Sequence, residues 1–252
     1  MQLNFRESGS GTAIFLLHGL LGSASNWKPV ATELAKDNRV ITPDLRNHGA
    51  SPHAPVMGYS DMAGDIFELM DQLGLASVVL IGHSMGGKVA MQAALQEPQR
   101  VQSLAVLDIA PISYPHSHQQ IYSAMGSLDL TSLSSRVMAD ANLQPYIGEK
   151  AMRQFVLTNL VQRDGEFGWR VNLEALIDCE EQILDFPAGS KSGFRGPVLF
   201  LSGSESDYVG AAGIQAIMDL FPQARMQVIA DAGHWLHAER PGEVVSMLQG
   251  FV

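Results

Sequence analysis

The sequence predicts an α/β protein in which helices flank a mostly parallel sheet on both faces. Short, continuous apolar runs alternate with helix-patterned stretches over the first 110 residues, and the same alternation returns after residue 193. Runs without polar alternation are typical of parallel strands that are buried on both faces. At 252 residues, of which 46% are hydrophobic, the chain is long enough to bury one sizeable core.

The predicted strands are short apolar runs, most of them rich in Val, Ile, Leu and Phe. In chain order they are Thr12–Leu17, Arg39–Thr42, Ser77–Ile81, Val101–Ile109, Pro197–Ser202 and Arg225–Ile229. The predicted helices are longer stretches in which apolar and polar residues mix. In chain order they are Trp27–Ala35, Ser60–Leu73, Gly86–Gln96, Ala211–Leu220 and Pro241–Phe251.

The alternation is interrupted between Pro111 and about Ser192, where we identify no clear strand. The segment is predicted to form helices at Ser117–Met125, Leu128–Ala141, Glu149–Leu160 and Asn172–Leu184. Because the segment begins at the carboxyl end of a strand, where ligands bind in such sheets, we expect it to cover the active site. We therefore predict a core of residues 1–110 and 193–252, with residues 111–192 as an inserted helical cap, or lid.

Composition narrows the classes of partner. The formal net charge is −10, which argues against nucleic-acid binding. The sequence contains no run of 18 apolar residues, so we expect no membrane-spanning helix. The start of the chain lacks the layout of a signal peptide, and the single cysteine, Cys179, excludes an internal disulfide. We expect a cytoplasmic protein with a small-molecule substrate, and the sequence leaves the oligomeric state open.

Cofactor and metal sites are not expected. The chain has no dinucleotide fingerprint or phosphate-binding loop. His116 and His118 form a His-x-His pair, but the sequence offers no clear third ligand beside them. Cys179 lies in an acidic stretch, which should raise its pKa and leave the thiol unreactive.

The most informative motif is Gly82-His83-Ser84-Met85-Gly86, set between a predicted buried strand and a predicted helix. A Gly-x-Ser-x-Gly sequence in this context is typical of a nucleophile elbow, a strained turn that exposes the serine hydroxyl above the sheet. Glycine is needed at both ends because a side chain there would collide with the neighbouring strand or helix. Ser84 is therefore the predicted nucleophile, and His83 is expected to support the elbow.

Other polar signals follow predicted strands. They are His18-Gly19-Leu20-Leu21-Gly22, Asp108, Gly203-Ser204-Glu205-Ser206-Asp207 and Gly233-His234. An imidazole titrates near neutral pH, so His234 is the candidate base for Ser84. The backbone N–H of Met85, at a helix N-terminus, is a candidate donor to a developing oxyanion.

The chain resembles the α/β-hydrolase superfamily over nearly its whole length, and within it the small bacterial YbfF-type esterases. The motifs that carry the resemblance are His18-Gly19 with Gly22, Asp44–Ser51, Gly82–Gly87, Leu107–Pro111 and Gly233–Pro241. The resemblance implies an α/β-hydrolase fold and a triad of serine, acid and histidine. It also implies that Leu20 supplies a second backbone N–H to the oxyanion hole.

The acid of the triad has two candidates. Many members of the superfamily place it three residues after the glycine that ends the strand Pro197–Ser202, but that position here is Ser206, and Asp207 comes one residue later. Asp108, at the end of the strand after the elbow, is the alternative and the one we favour. Ser206 would then support the acid or the histidine with a hydrogen bond.

Lys88, on the elbow helix, has two interpretations. It could pair with a substrate carboxylate or phosphate, but we favour an internal salt bridge because the helix should be largely buried. Asp44, Arg46 and His48 are interpreted as a network that braces a loop.

The predicted function is that of a serine esterase or thioesterase for short- to medium-chain acyl esters, with acyl-CoA among the candidate substrates. Alternatives are a lyase or cofactor-free haloperoxidase on the same scaffold, or a non-catalytic ligand-binding protein. Apolar cap residues are candidates either for an acyl pocket or for a plain hydrophobic underside: Met125, Leu128, Met152 and Phe155. Basic cap residues are candidates either for contacts with CoA phosphates or for a solvated surface: Lys150, Arg153, Arg163 and Arg170.

Overall fold

A computed structural model describes residues 1–187 and 193–252 of the chain. The strands of these residues are β1 (Phe5–Ser8), β2 (Thr12–Leu17), β3 (Asn38–Pro43), β4 (Val78–His83), β5 (Val101–Leu107), β6 (Leu160–Arg163), β7 (Glu166–Trp169), β8 (Val198–Gly203) and β9 (Ala224–Ile229). The main sheet has the strand order β1-β3-β2-β4-β5-β8-β9. All its neighbouring strands pair in parallel except β1, which is antiparallel to β3. The predicted α/β class is confirmed.

The helices of the described residues are α1 (Lys28–Leu34), α2 (Tyr59–Gln72), α3 (Met85–Gln96), α4 (Gln119–Gly126), α5 (Arg136–Leu143), α6 (Lys150–Leu157), α7 (Leu173–Asp178), α8 (Glu180–Leu184), α9 (Ala211–Leu220), α10 (Leu236–Glu239) and α11 (Pro241–Gln249). None of these helices combines the length and apolar character that crossing a lipid bilayer requires.

The sheet is buried on both faces, which explains its uninterrupted apolar runs. In β2, Phe15 belongs to the same hydrophobic cluster as Ile66 of α2 and Val89 of α3. Its neighbour Ile14 belongs to the cluster that contains Val30 of α1 and the apolar residues of α11. Successive strand residues point to opposite faces, so every position of such a strand must be apolar.

Strand β1 was not predicted from the sequence. Its residues Phe5–Ser8 are mostly polar and exposed, and they pair antiparallel with β3 at one edge of the sheet. A short polar edge strand carries no apolar periodicity, and its structure comes from the backbone pairing to β3.

The prediction that no strand lies between residues 111 and 192 was wrong. Strands β6 and β7 form an antiparallel hairpin separate from the main sheet. Asp164 and Gly165 connect them with φ angles of 52° and 89°. Asp-Gly is a favoured pair for a two-residue hairpin turn, in which both residues need positive φ, so the sequence did contain a signal for this hairpin.

Three predicted helices of the same segment differ from the expectation. The helix predicted over Glu149–Leu160 ends at Leu157, and Leu160 begins β6. The helix predicted over Leu128–Ala141 begins only at Arg136, because Ser135 caps α5 by accepting a hydrogen bond from the Met138 N–H. The helix predicted over Asn172–Leu184 is divided at Cys179 into α7 and α8. Residues 188–192, which contain the predicted boundary between cap and core, lie outside the described residues.

Lys88 connects the elbow helix α3 to the segment that starts at residue 111. Its side chain is 1% exposed, and Nζ donates to the carbonyl oxygens of Ile112, Leu184 and Asp185 at 2.9, 2.8 and 2.7 Å. The favoured prediction of an internal salt bridge is therefore wrong: among the described residues, Lys88 bonds to backbone oxygens at the end of α8 and to Ile112. Burial lowers the pKa of Lys88 to about 7, while the three carbonyls give its protonated form one acceptor for each N–H.

We expect Lys88→Met to lower the free energy of unfolding by about 3 kcal/mol, because methionine fills the space but leaves buried carbonyl oxygens without a donor. Denaturant unfolding at pH 6 measures the change. Lys28→Met is the matched control, since Lys28 is exposed at the start of α1, and it should change the free energy by less than about 0.5 kcal/mol. Equal stability of the two variants would contradict the assignment of Lys88 as a structural tether.

Candidate active site

Ser84 lies in the turn between β4 and α3, at the carboxyl end of the sheet. Its backbone has φ 52° and ψ −122°, a conformation that non-glycine residues rarely adopt. The turn is tight because β4, α3 and β2 approach closely. A Cβ on Gly82 would lie 2.2 Å from the Gly86 carbonyl oxygen, and a Cβ on Gly86 would lie 2.3 Å from the Leu17 carbonyl oxygen. The packing therefore requires glycine at both positions of the motif.

Ser84, His234 and Asp108 form a continuous hydrogen-bonded chain. His234 follows β9, and its Nε2 lies 3.0 Å from Ser84 Oγ. Its Nδ1 lies 2.7 Å from Asp108 Oδ2. A carboxylate accepts only, so Nδ1 carries the proton and Nε2 is the acceptor for the Ser84 hydroxyl. In this tautomer the imidazole can remove the serine proton.

Asp108, rather than Asp207, contacts the histidine. Asp108 is fully buried just after β5 and also accepts hydrogen bonds from the Gly203 N–H at 3.1 Å and from the Ser206 hydroxyl. Asp207 is exposed, one residue beyond Ser206 in the loop after β8. That loop therefore presents Ser206 to the carboxylate of Asp108. The sequence had left the choice of acid open because a shift of one residue in a turn changes where a side chain points.

His83 supports the elbow from beneath. Its Nε2–H donates to the His234 carbonyl oxygen at 2.8 Å, and its ring centroid lies 4.7 Å from that of His234. Burial lowers the pKa of His83 well below its ordinary value, with smaller contributions from the charges of His237 and His234. Burial also lowers the pKa of His237, which lines the site, to about 4. Both neighbours of His234 are therefore neutral at pH 7.

Backbone N–H groups of Leu20 and Met85 are available beside the serine. Within the described residues, neither of them donates a hydrogen bond to another group of the chain. The Gly19 carbonyl accepts from His18 Nδ1–H at 2.8 Å and from the Gly22 N–H at 3.0 Å. Because C=O and N–H of a planar trans peptide point in opposite directions, these two bonds also fix the direction of the Leu20 N–H.

Two buried histidines hold the loop that carries Leu20. His18 Nε2 accepts from the Leu45 N–H at 2.9 Å, and His48 Nε2 accepts from the Leu21 N–H at 3.1 Å. Burial lowers the pKa of both imidazoles, and it is the largest contribution in each case. The pKa of His48 falls to about 3, so both histidines remain neutral acceptors.

Asp44 and Arg46 brace the neighbouring loop as predicted. Asp44 accepts the N–H groups of Ala24 and Ala50 at 2.7 and 2.9 Å. Arg46 donates two hydrogen bonds to Asp65, at 2.7 and 2.9 Å.

A cavity of about 360 Å³ opens onto Ser84 and His234. Its apolar lining includes Leu20, Ile121, Met152, Phe155, Trp235 and Ala238. Met152 and Phe155 thus occupy the position predicted for an acyl pocket, whereas Met125 and Leu128 are packed in the core. A second cavity of about 30 Å³ also reaches Ser84, and its lining combines apolar side chains with polar ones that include Lys88 and Tyr114.

The basic residues of the segment predicted as a cap differ in their accessibility. Arg153 is buried and donates to Asp140 Oδ1 and to the carbonyl oxygens of Ile147 and Gly148, so its guanidinium is not exposed to a phosphate. The prediction that Arg153 could contact CoA is therefore wrong. Lys150 and Arg163 are exposed, and Arg170 donates to the Thr158 carbonyl oxygen.

Several residues of the site were not predicted from the sequence, among them Tyr208 and Asn159. Tyr208 lines the cavity and stacks on the His234 ring. Asn159, just before β6, donates from Nδ2 to the Leu21 carbonyl oxygen at 2.8 Å. A lone tyrosine or asparagine in a loop has no motif around it, and only the folded arrangement identifies them.

Comparison with known proteins identifies the family. A model of the alpha/beta hydrolase fold family matches residues 12–241. The chain is 41% identical to the sn-1-specific diacylglycerol lipase ABHD11 of Danio rerio, over 98% of this chain and 80% of that protein. It is 36% identical to Esterase YbfF of Escherichia coli, over 100% of this chain and 99% of that protein.

A solved structure described as a marine microorganism esterase superposes with a TM-score of 0.97 at 37% identity, covering 100% of this chain and 99% of that one. The resemblance inferred from the motifs is thereby confirmed. Sequence, strand order and the turn at Ser84 lead to one assignment, and the chain belongs to the α/β-hydrolase family.

Proposed function

We propose that this protein is a serine esterase or thioesterase that hydrolyses short- to medium-chain acyl esters through an acyl-enzyme. The observation that carries the proposal is the hydrogen-bonded chain Ser84–His234–Asp108 at the edge of an apolar cavity. The names of its relatives, an esterase and a diacylglycerol lipase, support ester hydrolysis as the reaction class.

In the proposed reaction, Ser84 Oγ attacks the acyl carbon while its proton passes to His234 Nε2. The carbonyl oxygen becomes an oxyanion, which the N–H groups of Leu20 and Met85 stabilise. Asp108 keeps the imidazole in the required tautomer and stabilises the imidazolium. Collapse of the intermediate transfers the proton from His234 to the leaving alcohol or thiol and leaves an ester on Ser84.

Water completes the cycle by the same steps in reverse order. The second cavity beside Ser84 has room for about one water molecule. Such a water, deprotonated by His234, attacks the acyl-enzyme and releases the acid. The proton then returns from His234 to Ser84, so the enzyme is unchanged after one turnover.

The cavity suggests the substrate class. Its mostly apolar lining suits an acyl chain, and Ser84 and His234 are among the polar groups that line it. The exposed Lys150 and Arg163 are candidates to contact the phosphates of a CoA thioester. The diacylglycerol lipase relatives make a diacylglycerol the second candidate substrate.

We expect Ser84→Ala to lower kcat/KM for p-nitrophenyl butyrate by at least about 10⁴-fold, because no nucleophile remains. Mass spectrometry of the wild-type protein during turnover should detect one acyl group, on Ser84. Ser204→Ala changes an exposed serine of the loop after β8 and should retain wild-type activity. Retained activity in Ser84→Ala would contradict the proposed mechanism.

The two acid candidates give a second test. Asp108→Asn should lower kcat by about 10⁴-fold, because an asparagine amide favours the wrong histidine tautomer. Asp207→Asn should stay within about twofold of wild type, since Asp207 is exposed and outside the hydrogen-bonded chain. Steady-state kinetics on both folded variants checks this, and the reverse order would assign the acid to Asp207.

Chain-length preference tests the role of the apolar cavity. Phe155 lines it, so Phe155→Ala should move the preferred acyl length of p-nitrophenyl esters upward. Phe251→Ala, near the C-terminus and away from this cavity, is the control and should leave the preference unchanged. An unchanged preference in Phe155→Ala would mean that the acyl chain binds elsewhere.

A further assay separates the thioesterase and lipase candidates. Octanoyl-CoA and dioctanoylglycerol are assayed beside the octanoyl ester, and their kcat/KM values are compared.

A further inference from the structure

Tyr208 lies face to face with the histidine of the triad. The ring centroids of Tyr208 and His234 are 3.9 Å apart, and the ring planes differ by only 16°. We propose that Tyr208 is a positioning residue, whose ring holds the His234 imidazole in its working orientation and stabilises the imidazolium through its π face. This inference rests on the proposed function and adds a residue that acts through His234.

The hydrogen bonds of His234 are made at the edge of its ring, so they do not occupy the ring face that Tyr208 contacts. Its two nitrogens lie in the ring plane and contact Ser84 and Asp108. Those bonds fix the edge of the imidazole, but rotation about the line joining them would still tilt the ring. A parallel ring on one face opposes that tilt, and the tilted ring of His83 lies on another side at 4.7 Å.

The position of Tyr208 is itself fixed by the chain around the acid. Its N–H donates to Ser206 Oγ at 3.3 Å. Its carbonyl oxygen accepts from Tyr114 Oη–H at 2.7 Å, and the Tyr114 oxygen in turn accepts the Ala110 N–H at 2.9 Å. Ser206 also donates to Asp108. The loop after β8 therefore supplies a hydrogen bond to the acid and a ring to the base.

The electrostatic surroundings give the π face a role. Asp108 is the acidic group in contact with His234, and it meets the ring at its edge. The other histidines near the imidazole are His83 from β4, His237 from α10, and His116 and His118 from the segment after β5. Glu239 of α10 lines the same cavity and accepts the N–H of Gly233, the residue before His234. Burial is the largest cause that lowers the pKa of each of these four histidines, which leaves them neutral at pH 7.

The face of an aromatic ring is electron-rich and attracts a cation stacked on it. When Ser84 gives its proton to Nε2, His234 becomes a cation beneath the Tyr208 ring. The ring therefore favours the charged form over the neutral form, and it stabilises the transition state more than the resting enzyme. The phenol hydroxyl is not needed for this effect, since it points towards His116 Nε2 at 3.5 Å.

The test compares Tyr208→Phe, which keeps the ring, with Tyr208→Leu and Tyr208→Met, which remove it. The kcat/KM for p-nitrophenyl butyrate is measured from pH 4.5 to 9. Without the ring the imidazolium is less stable, so the acidic limb of the kcat/KM profile moves to lower pH by about 0.5–1.5 units. The plateau of kcat falls about 3- to 10-fold, and Tyr208→Phe stays close to wild type in both respects.

Phe155→Leu, which changes an aromatic residue of the same cavity without direct ring stacking on His234, controls for altered substrate binding and should leave the limb in place. Melting temperatures identify any variant that does not fold, and the second ring-free variant serves if the first does not fold. An acidic limb of the kcat/KM profile that stays at the wild-type pH in both folded ring-free variants would overturn the proposal. A limb that moves equally in Tyr208→Phe would overturn it too, because the hydroxyl would then be responsible.

An NMR titration separates this inference from the proposed function. The His234 signal is followed in protein labelled with ¹³C-histidine and assigned by its loss in His234→Gln. A lower titration midpoint in Tyr208→Leu and Tyr208→Met, but not in Tyr208→Phe, supports the ring contact even if no ester is hydrolysed. An unchanged midpoint in an active enzyme overturns the inference while the esterase assignment stands.

Discussion

The buried carboxylate of Asp108 is the group around which the site is assembled. A fully buried carboxylate is costly unless hydrogen-bond donors surround it. Asp108 receives donors from the Gly203 N–H, the Ser206 hydroxyl and the His234 imidazole. These groups come from the last residue of β8, the loop after it and the loop after β9, so satisfying one carboxylate fixes two loops at once. The histidine reaches Ser84 because of this arrangement, and Tyr208 reaches the histidine through the same loop.

The parts of the structure that the sequence predicted correctly are those with a local physical signature. Strand Thr12–Leu17 and helix Ala211–Leu220 were predicted with the bounds that the structure gives them, since continuous apolar runs and helical spacing are local properties. The spacing of glycines around Ser84 likewise reports a close approach of backbones. In contrast, β1 depends on pairing with a distant strand, and the Asp164-Gly165 turn was overlooked although its residue pair is a known hairpin signal.

The parts that escaped prediction depend on atoms that residue patterns do not represent. A lysine in a buried helix suggests a carboxylate partner, yet Lys88 bonds to three backbone carbonyls, whose positions exist only in the folded chain. The choice between Asp108 and Asp207 turned on a single residue of register in a loop. The ring of Tyr208 is placed by hydrogen bonds from Tyr114 and to Ser206, and no spacing in the sequence indicates them.

The segment after residue 111 is connected to the chemistry as well as to the cavity. Asn159 donates to the Leu21 carbonyl oxygen, next to the predicted oxyanion donor Leu20, and Asn172 donates through its N–H to the Asn47 carbonyl oxygen at 3.0 Å. Asn47 in turn adjoins His48, which holds the Leu21 N–H. Both sides of the Leu21 residue are thus held, one by the segment and one by the core. Because the direction of the Leu20 N–H depends on this loop, a displacement of the segment would change oxyanion stabilisation together with the shape of the pocket. Substitutions at the base of the segment should therefore act on kcat as well as on KM, whereas substitutions that only line the cavity should act through substrate binding.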